Sequence, residues 1–284
     1  MKANDIFKKR YKTRRRAVYI DSHGRSIRLL IISPKNADPV KKRTGVLWIH
    51  GGGYVTGMPE MAYFTRSIDL VKRFGAVVVS PDYTLAGKAP YPAALEDCSN
   101  ALRYLAQNAQ KLDIREDQIM VGGESAGGGL TAALCMYEKD RGGVSIAYQM
   151  PLYPMLDYFD TPSSRDNHAP VWNTLRNHRA WAKYLRGTDK KDISEYASPA
   201  RRKNHSDLPP AYTFISTAEP FYDETMSYIE SLKNAGVPAK IDVYPGLFHA
   251  FDMLLPFLKT SRLAAARFCE NFAFAAENYF SEQH

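Results

Sequence analysis

The stretch that most narrows what this chain can become is Val121-Gly122-Gly123-Glu124-Ser125-Ala126-Gly127-Gly128-Gly129. Gln118-Ile119-Met120-Val121 leads into it and reads as a short buried strand, and Thr131 to Lys139 follows as a helix. A serine between strand and helix, with glycine two residues to either side, sits on a tight, strained turn. Glycine tolerates the unusual dihedrals there and lets strand and helix come close. The turn lifts the hydroxyl clear of the backbone and sets it at a helix N-terminus, where amide groups favour developing negative charge. Gly-x-Ser-x-Gly also arises by chance in glycine-rich turns, so the rest of the chain must supply its context.

That context is a regular alternation. Val18-Tyr19-Ile20 and Ile27 to Ile32, split by Asp21-Ser22-His23-Gly24, predict an opening hairpin. Gly45 to His50 is a buried-strand pattern that runs into Gly51-Gly52-Gly53-Tyr54. Then come a helical spacing from Ala62 to Arg73, a β-branched strand Ala76 to Ser80, and a long helix from Pro92 to Lys111. After the serine helix lies a strand, Ile146 to Met150. Residues 155–205 break the rhythm with prolines, charged clusters and the aromatics Tyr158, Phe159, Trp172, Trp181 and Tyr184. They read as a cap-like insertion over the sheet, or as ordinary connecting helices. The alternation resumes with strand Ala211 to Ile215, helix Tyr222 to Asn234, strand Ala239 to Tyr244 and a final helix from about Leu254 to Tyr279. The expectation is one α/β domain over residues 1–284, with a mostly parallel, twisted sheet of about eight strands covered by helices on both faces. Ligands of such sheets bind beyond the carboxyl ends of the strands, where Ser125 lies.

Composition agrees and removes several classes. With 284 residues, 45% hydrophobic and 24% charged, the chain has ample core. No apolar run approaches the ~20 residues of a membrane span. Cys98, Cys135 and Cys269 are too few and too scattered for a disulfide framework or a zinc site, which predicts a reducing, cytoplasmic setting and no metal. The formal charge of +8 is concentrated in residues 1–16, where eight basic side chains face Asp5 alone, a net +7. This basic N-terminal arm reads either as a contact for an anionic surface or as a solvated terminus. No zinc-finger spacing or aromatic-interleaved basic stripe supports nucleic-acid binding. A homodimer is compatible with the sequence, which does not fix the oligomeric state.

A serine hydroxyl needs a base to take its proton and a third group to orient that base. In hydrolases of this architecture the chain order is serine, acid, histidine. Of the seven histidines, only His249 and His284 follow the last strand, and His284 is the terminal residue. His249, in Pro245-Gly246-Leu247-Phe248-His249-Ala250-Phe251, is the expected base. The acid belongs after the preceding strand, in Thr217-Ala218-Glu219-Pro220-Phe221-Tyr222-Asp223. Glu219 is favoured, and Asp223, near a helix start, is the alternative. The glycines after His50 expose backbone N–H groups, so Gly51, Gly52 and the amide of Ala126 are the expected oxyanion donors, with His50 as a brace. Tyr54, with aromatics of the insertion, is expected to wall the pocket.

Taken together, His50-Gly51-Gly52-Gly53-Tyr54, Pro81-Asp82-Tyr83-Thr84-Leu85-Ala86, Tyr91-Pro92-Ala93-Ala94, Gly123-Glu124-Ser125-Ala126-Gly127-Gly128 and His249-Ala250-Phe251 resemble the hormone-sensitive-lipase-like esterases of the α/β-hydrolase superfamily, over roughly residues 45–255. The resemblance implies a serine carboxylesterase that hydrolyses short-acyl esters through an acyl-enzyme and uses no cofactor. Two departures stand out. Glu219-Pro220-Phe221-Tyr222-Asp223-Glu224 places glutamate where the family usually has aspartate. The segment before the first core strand is shorter than the family's helical cap, which implies a more open acyl pocket. An amidase or peptidase using the same triad is a second enzyme alternative. A non-catalytic receptor on this fold, as the plant gibberellin receptor is, lacks the histidine that this chain has at 249. The glycine-rich turn carries no phosphate-loop lysine, and there is neither a dinucleotide-binding Gly-x-Gly-x-x-Gly nor a His-Glu-x-x-His.

Overall fold

The computed structural model describes residues 11–35 and 42–283. Strands β1 (Thr13–Ser22) and β2 (Arg25–Pro34) form the opening hairpin. Its turn is tighter than predicted, with only His23 and Gly24 between the paired Ser22 and Arg25. Both turn residues have positive φ, 53° and 76°, the combination a two-residue hairpin loop demands. β1 also begins earlier than expected. Arg14, Arg15 and Arg16 belong to it rather than to an arm, because they pair with Ser33, Ile32 and Ile31, and the Arg15 guanidinium lies 3.9 Å over the Tyr63 ring. Lys2, Lys8, Lys9 and Arg10 lie outside the described residues.

The sheet continues through β3 (Arg43–Ile49), β4 (Val77–Pro81), β5 (Ile114–Glu124), β6 (Tyr148–Leu152), β7 (Ala211–Ser216) and β8 (Ala239–Tyr244). Spatial order is β1-β2-β4-β3-β5-β6-β7-β8. β2 runs antiparallel to β4, and every pairing from β4 to β8 is parallel. Two interior strands explain why the sequence reads as it does. Val46, Leu47, Trp48 and Ile49 of β3, and Val77, Val78 and Val79 of β4, are covered on both faces. A strand buried on both sides needs an unbroken apolar run, not an alternating one. Each such side chain contributes roughly 1.5–3 kcal/mol by leaving water.

Helices α1 (Ala93–Gln107) and α2 (Ala126–Arg141) pack side by side, and Ala132 and Met136 of α2 share a small apolar core with Tyr228 and Ile229 of α4 (Tyr222–Asn234). α5 (Lys259–Asn278) meets the helical segment before β4 through Phe272 and Phe74, 4.9 Å apart, and reaches Trp48 of β3 through Phe268. α3 (Thr174–Tyr184) belongs to the segment between β6 and β7.

Two predicted helices are interrupted, each for a local reason. Residues 62–73 become a tight turn at Pro59–Tyr63, a short α-helical piece at Ser67–Asp69 and a wider turn at Leu70–Phe74. The Ser67 hydroxyl donates to the Ala62 carbonyl at 2.8 Å, taking an acceptor a continuous helix would use. At the other end, the final helix expected from about Leu254 begins only at Lys259, since Pro256 separates it from the short helical turn at Phe251–Leu254.

The parallel strands place four loops together. In register, Ile49 of β3 lies beside Gly123 of β5, Glu124 of β5 beside Leu152 of β6, and Ser216 of β7 beside Tyr244 of β8. The glycine loop, the serine turn and the loops carrying Glu219 and His249 therefore all leave the same edge of the sheet.

Candidate active site

Ser125 has φ 60° and ψ −122°, a backbone region that costs a residue with a side chain on the order of 1–3 kcal/mol. Three backbone bonds impose it. Ser125 N donates to the Leu152 carbonyl, and its own carbonyl accepts from Gly129 and Met155, all at 3.0 Å. The glycines two residues away are required by proximity: a Cβ on Gly123 or Gly127 would collide with the Ile49 carbonyl oxygen. Strand β3, strand β5 and helix α2 thus converge on one point, which carries the Ser125 hydroxyl.

The hydroxyl meets His249. Ser125 Oγ is 2.8 Å from Nε2, and Nδ1 on the far side of the ring is 2.5 Å from Glu219 Oε2. A neutral ring carrying its proton on Nδ1 donates to the carboxylate and leaves Nε2 to accept from the hydroxyl. All three residues are buried. Burial pushes the Glu219 carboxyl up, while the adjoining His249 opposes that shift. Ser216 N donates to Glu219 Oε1 at 3.3 Å, fixing the carboxylate plane. Ala250 holds the left-handed φ of 60° that turns the chain out of the histidine loop. The alternative acid, Asp223, is engaged elsewhere: its Oδ2 accepts from Ser163 N at 2.7 Å in the insertion.

The glycine loop differs from expectation in detail. His50 is a brace, as read: its Nδ1 donates to the Gly51 carbonyl at 2.8 Å, and its ring stacks on Tyr83 at 4.2 Å. Burial lowers its pKa, so it stays neutral. The Gly51 amide lies close to the buried Glu124 carboxyl and works against the rise that burial gives its pKa. The amides of Gly52, Gly53 and Ala126 donate to no backbone carbonyl or side chain among the described residues, and these are the free donors beside Ser125. Tyr54 also departs from its expected role as a pocket wall. Its ring is 1% exposed, stacked on Tyr184 at 4.0 Å, with its hydroxyl on the Met155 carbonyl at 2.9 Å. It ties the glycine loop to the insertion instead. Trp172 of the insertion lies beside the site, its ring 6.3 Å from that of His249, and Ser125 and His249 are 6% and 3% exposed.

Glu124, between the strand and the serine, is a group the sequence reading left without a role. Its Oε2 accepts from Trp48 Nε1 at 2.6 Å, and burial raises its pKa to about 8. The folded chain therefore keeps this carboxyl protonated far above the 4.5 at which an unfolded chain releases it. Its contribution to stability is complete below about 4.5 and is lost as pH rises through about 8. Glu124→Gln, which keeps the shape without the titration, is expected to flatten the fall in melting temperature between pH 5 and pH 8. Calorimetric melts across that range check it; parallel curves for variant and wild type would refute the assignment.

Residues 46–253 match a family model described as an alpha/beta hydrolase fold. The chain belongs to the hormone-sensitive-lipase-like α/β hydrolases. Esterase LipI of Mycobacterium tuberculosis is 34% identical to this α/β hydrolase over 209 residues, 72% of this chain and 65% of LipI. Carboxylesterase NlhH of the same organism is 35% identical over 220 residues, 72% of this chain and 66% of NlhH. The chain thus spans just under two thirds of the length of these relatives. A solved structure titled Bacterial Heroin Esterase superposes with a TM-score of 0.87 at 29% identity, covering 93% of this chain and 84% of that one.

In this α/β hydrolase, sequence reasoning named Trp172 only as one aromatic of the insertion, and did not see Arg66 or Asp252. Asp252 is fully buried three residues past His249 and pairs with Arg66 Nε at 3.1 Å. The spacing from His249 was visible; the arginine, 186 positions earlier, left no local signal. Among the described residues no group of three or more histidine, cysteine or acidic side chains is arranged to hold a metal ion, and no helix is long and apolar enough to cross a membrane.

Proposed function

We propose that this chain is a serine carboxylesterase that hydrolyses small, short-acyl esters through an acyl-enzyme. The observation that carries the reading is the unbroken hydrogen-bonded line from Ser125 Oγ through His249 to Glu219. His249 Nε2 takes the hydroxyl proton as Oγ attacks the ester carbonyl. The oxyanion that forms is met by the amides of Gly52, Gly53 and Ala126, which donate to no acceptor among the described residues. As the tetrahedral species collapses, the imidazolium returns the proton to the departing alcohol. Water then enters, loses its proton to His249 and releases the acid from Ser125. Glu219 holds the ring in the required tautomer and offsets its charge when protonated. No step needs a cofactor.

The names of LipI and NlhH, an esterase and a carboxylesterase, support the ester as substrate. Ethyl acetate hydrolase of Pseudomonas putida, 28% identical over 233 residues, is named for a short-acyl ester. The presence of a base at 249 favours turnover over a receptor role. Three buried, unpaired thiols suit a reducing compartment, and the proposed location is cytoplasmic.

Hydrolysis of p-nitrophenyl esters from acetate to palmitate tests the reading, with acetyl p-nitroanilide as the amide control. Turnover should be highest on acetate to butyrate. Activity that climbs to the longest chain, or that appears only on the anilide, would overturn it.

A further inference from the structure

If the chain is an ester hydrolase, the reacting carbonyl must lie between two things: the free amides at Gly52 and Gly53, and the His249–Ser125 pair. One side chain touches both borders of that space. The Trp172 indole points the Cη2 edge of its six-membered ring at Gly53, so closely that a Cβ there would overlap it. The same indole is 6.3 Å from the ring of His249 and 6.3 Å from that of Phe221, which itself sits 5.1 Å from His249. Only glycine at position 53 leaves room for it.

The indole is also held from behind. Its Nε1 donates to Oδ1 of Asn177, a buried residue of α3, at 3.3 Å. Its backbone N donates to the Pro170 carbonyl at 2.8 Å, and the Arg176 guanidinium donates to the carbonyl of Val171. Val171 has φ 70°, a conformation β-branched residues rarely adopt, so the loop spends strain to present the next residue where it is. Trp172 itself is half-buried. A rigid aromatic plane anchored this way, at the mouth of a buried serine, limits how far a substrate can extend.

We propose that Trp172 is the specificity-determining residue of this site: its indole, wedged between the oxyanion loop and His249, restricts turnover to esters that carry a one- to three-carbon group on that side. This rests on the carboxylesterase reading. Truncating the indole opens a slot beside Gly53 without removing any group that handles a proton or the oxyanion.

Two substrate series decide it: p-nitrophenyl esters with acyl groups from acetyl to octanoyl, and acetate esters with alcohols from methyl to hexyl. For Trp172→Ala, the ratio of kcat/KM for the longest to the shortest substrate should rise by about tenfold or more in one series, the scale on which pocket-filling methylenes discriminate. Acetate turnover itself should change less than the ratio does. Trp172→Phe, which keeps an aromatic plane of smaller area, should fall between. If Trp172→Ala does not fold, Trp172→Phe and Trp172→Leu carry the same comparison. A length profile unchanged in both series, or a uniform loss on all substrates with an intact melt, overturns the proposal while the esterase reading stands. A wild-type chain inactive on every ester removes both.

Discussion

Ser125→Ala is expected to lower kcat on p-nitrophenyl acetate by roughly 10⁶-fold, with the fold intact. Alanine keeps the Cβ, so the strained turn at φ 60° gains no new collision and loses none of the three backbone bonds that impose it. What disappears is the oxygen 2.8 Å from His249 Nε2, the proposed nucleophile. Residual turnover over water, typically 10³–10⁴-fold, would come from the amides of Gly52, Gly53 and Ala126 acting on a water-attacked carbonyl. The measurement is steady-state turnover together with the burst of p-nitrophenol that marks acyl-enzyme formation; the burst should vanish. A variant that keeps turnover within tenfold of wild type, with an unchanged circular dichroism spectrum, would mean that another group is the nucleophile.

Much of this site was legible because its pieces carry short-range signals. Gly123-Glu124-Ser125-Ala126-Gly127 is readable because close approach to the Ile49 carbonyl excludes any Cβ, which forces glycine into a recognisable pattern. His249 could be found by elimination along the chain, since topology places the last loop beside the serine turn. The eight-strand sheet follows from apolar runs such as Val77-Val78-Val79, where burial on both faces writes itself into composition. What failed depends on direction rather than on identity. That Tyr54 turns inward onto Tyr184 is a matter of backbone rotation, invisible in a string of glycines. The same holds for the helix interrupted near Ser67, where one hydroxyl diverts a carbonyl. Trp172 and the Arg66–Asp252 pair depend on contacts between distant segments, and a sequence offers no register by which to bring them together.

The second large effect separates the two carboxylates that the sequence left in competition. Glu219→Gln is expected to reduce kcat by about 10⁴-fold, the loss seen when the orienting acid of such a triad becomes an amide. Glutamine fits the same buried space, but it can present an N–H₂ to His249 Nδ1. That contact stabilises the tautomer with its proton on Nε2, which cannot accept from Ser125. It also leaves the imidazolium, formed at each attack, without the carboxylate now 2.5 Å away. Asp223→Asn should stay within tenfold of wild type. Its carboxylate instead accepts from Ser163 N at 2.7 Å and sits in the first turn of α4, so its loss is one of anchoring, on the order of 1 kcal/mol of stability. The two variants should therefore part company in kcat, and Asp223→Asn alone should show its effect chiefly in the melt. Were the Asp223 variant the crippled one and the Glu219 variant nearly normal, the histidine would have to swing to the other carboxylate during turnover, and the geometry of the resting site would not be that of the working one.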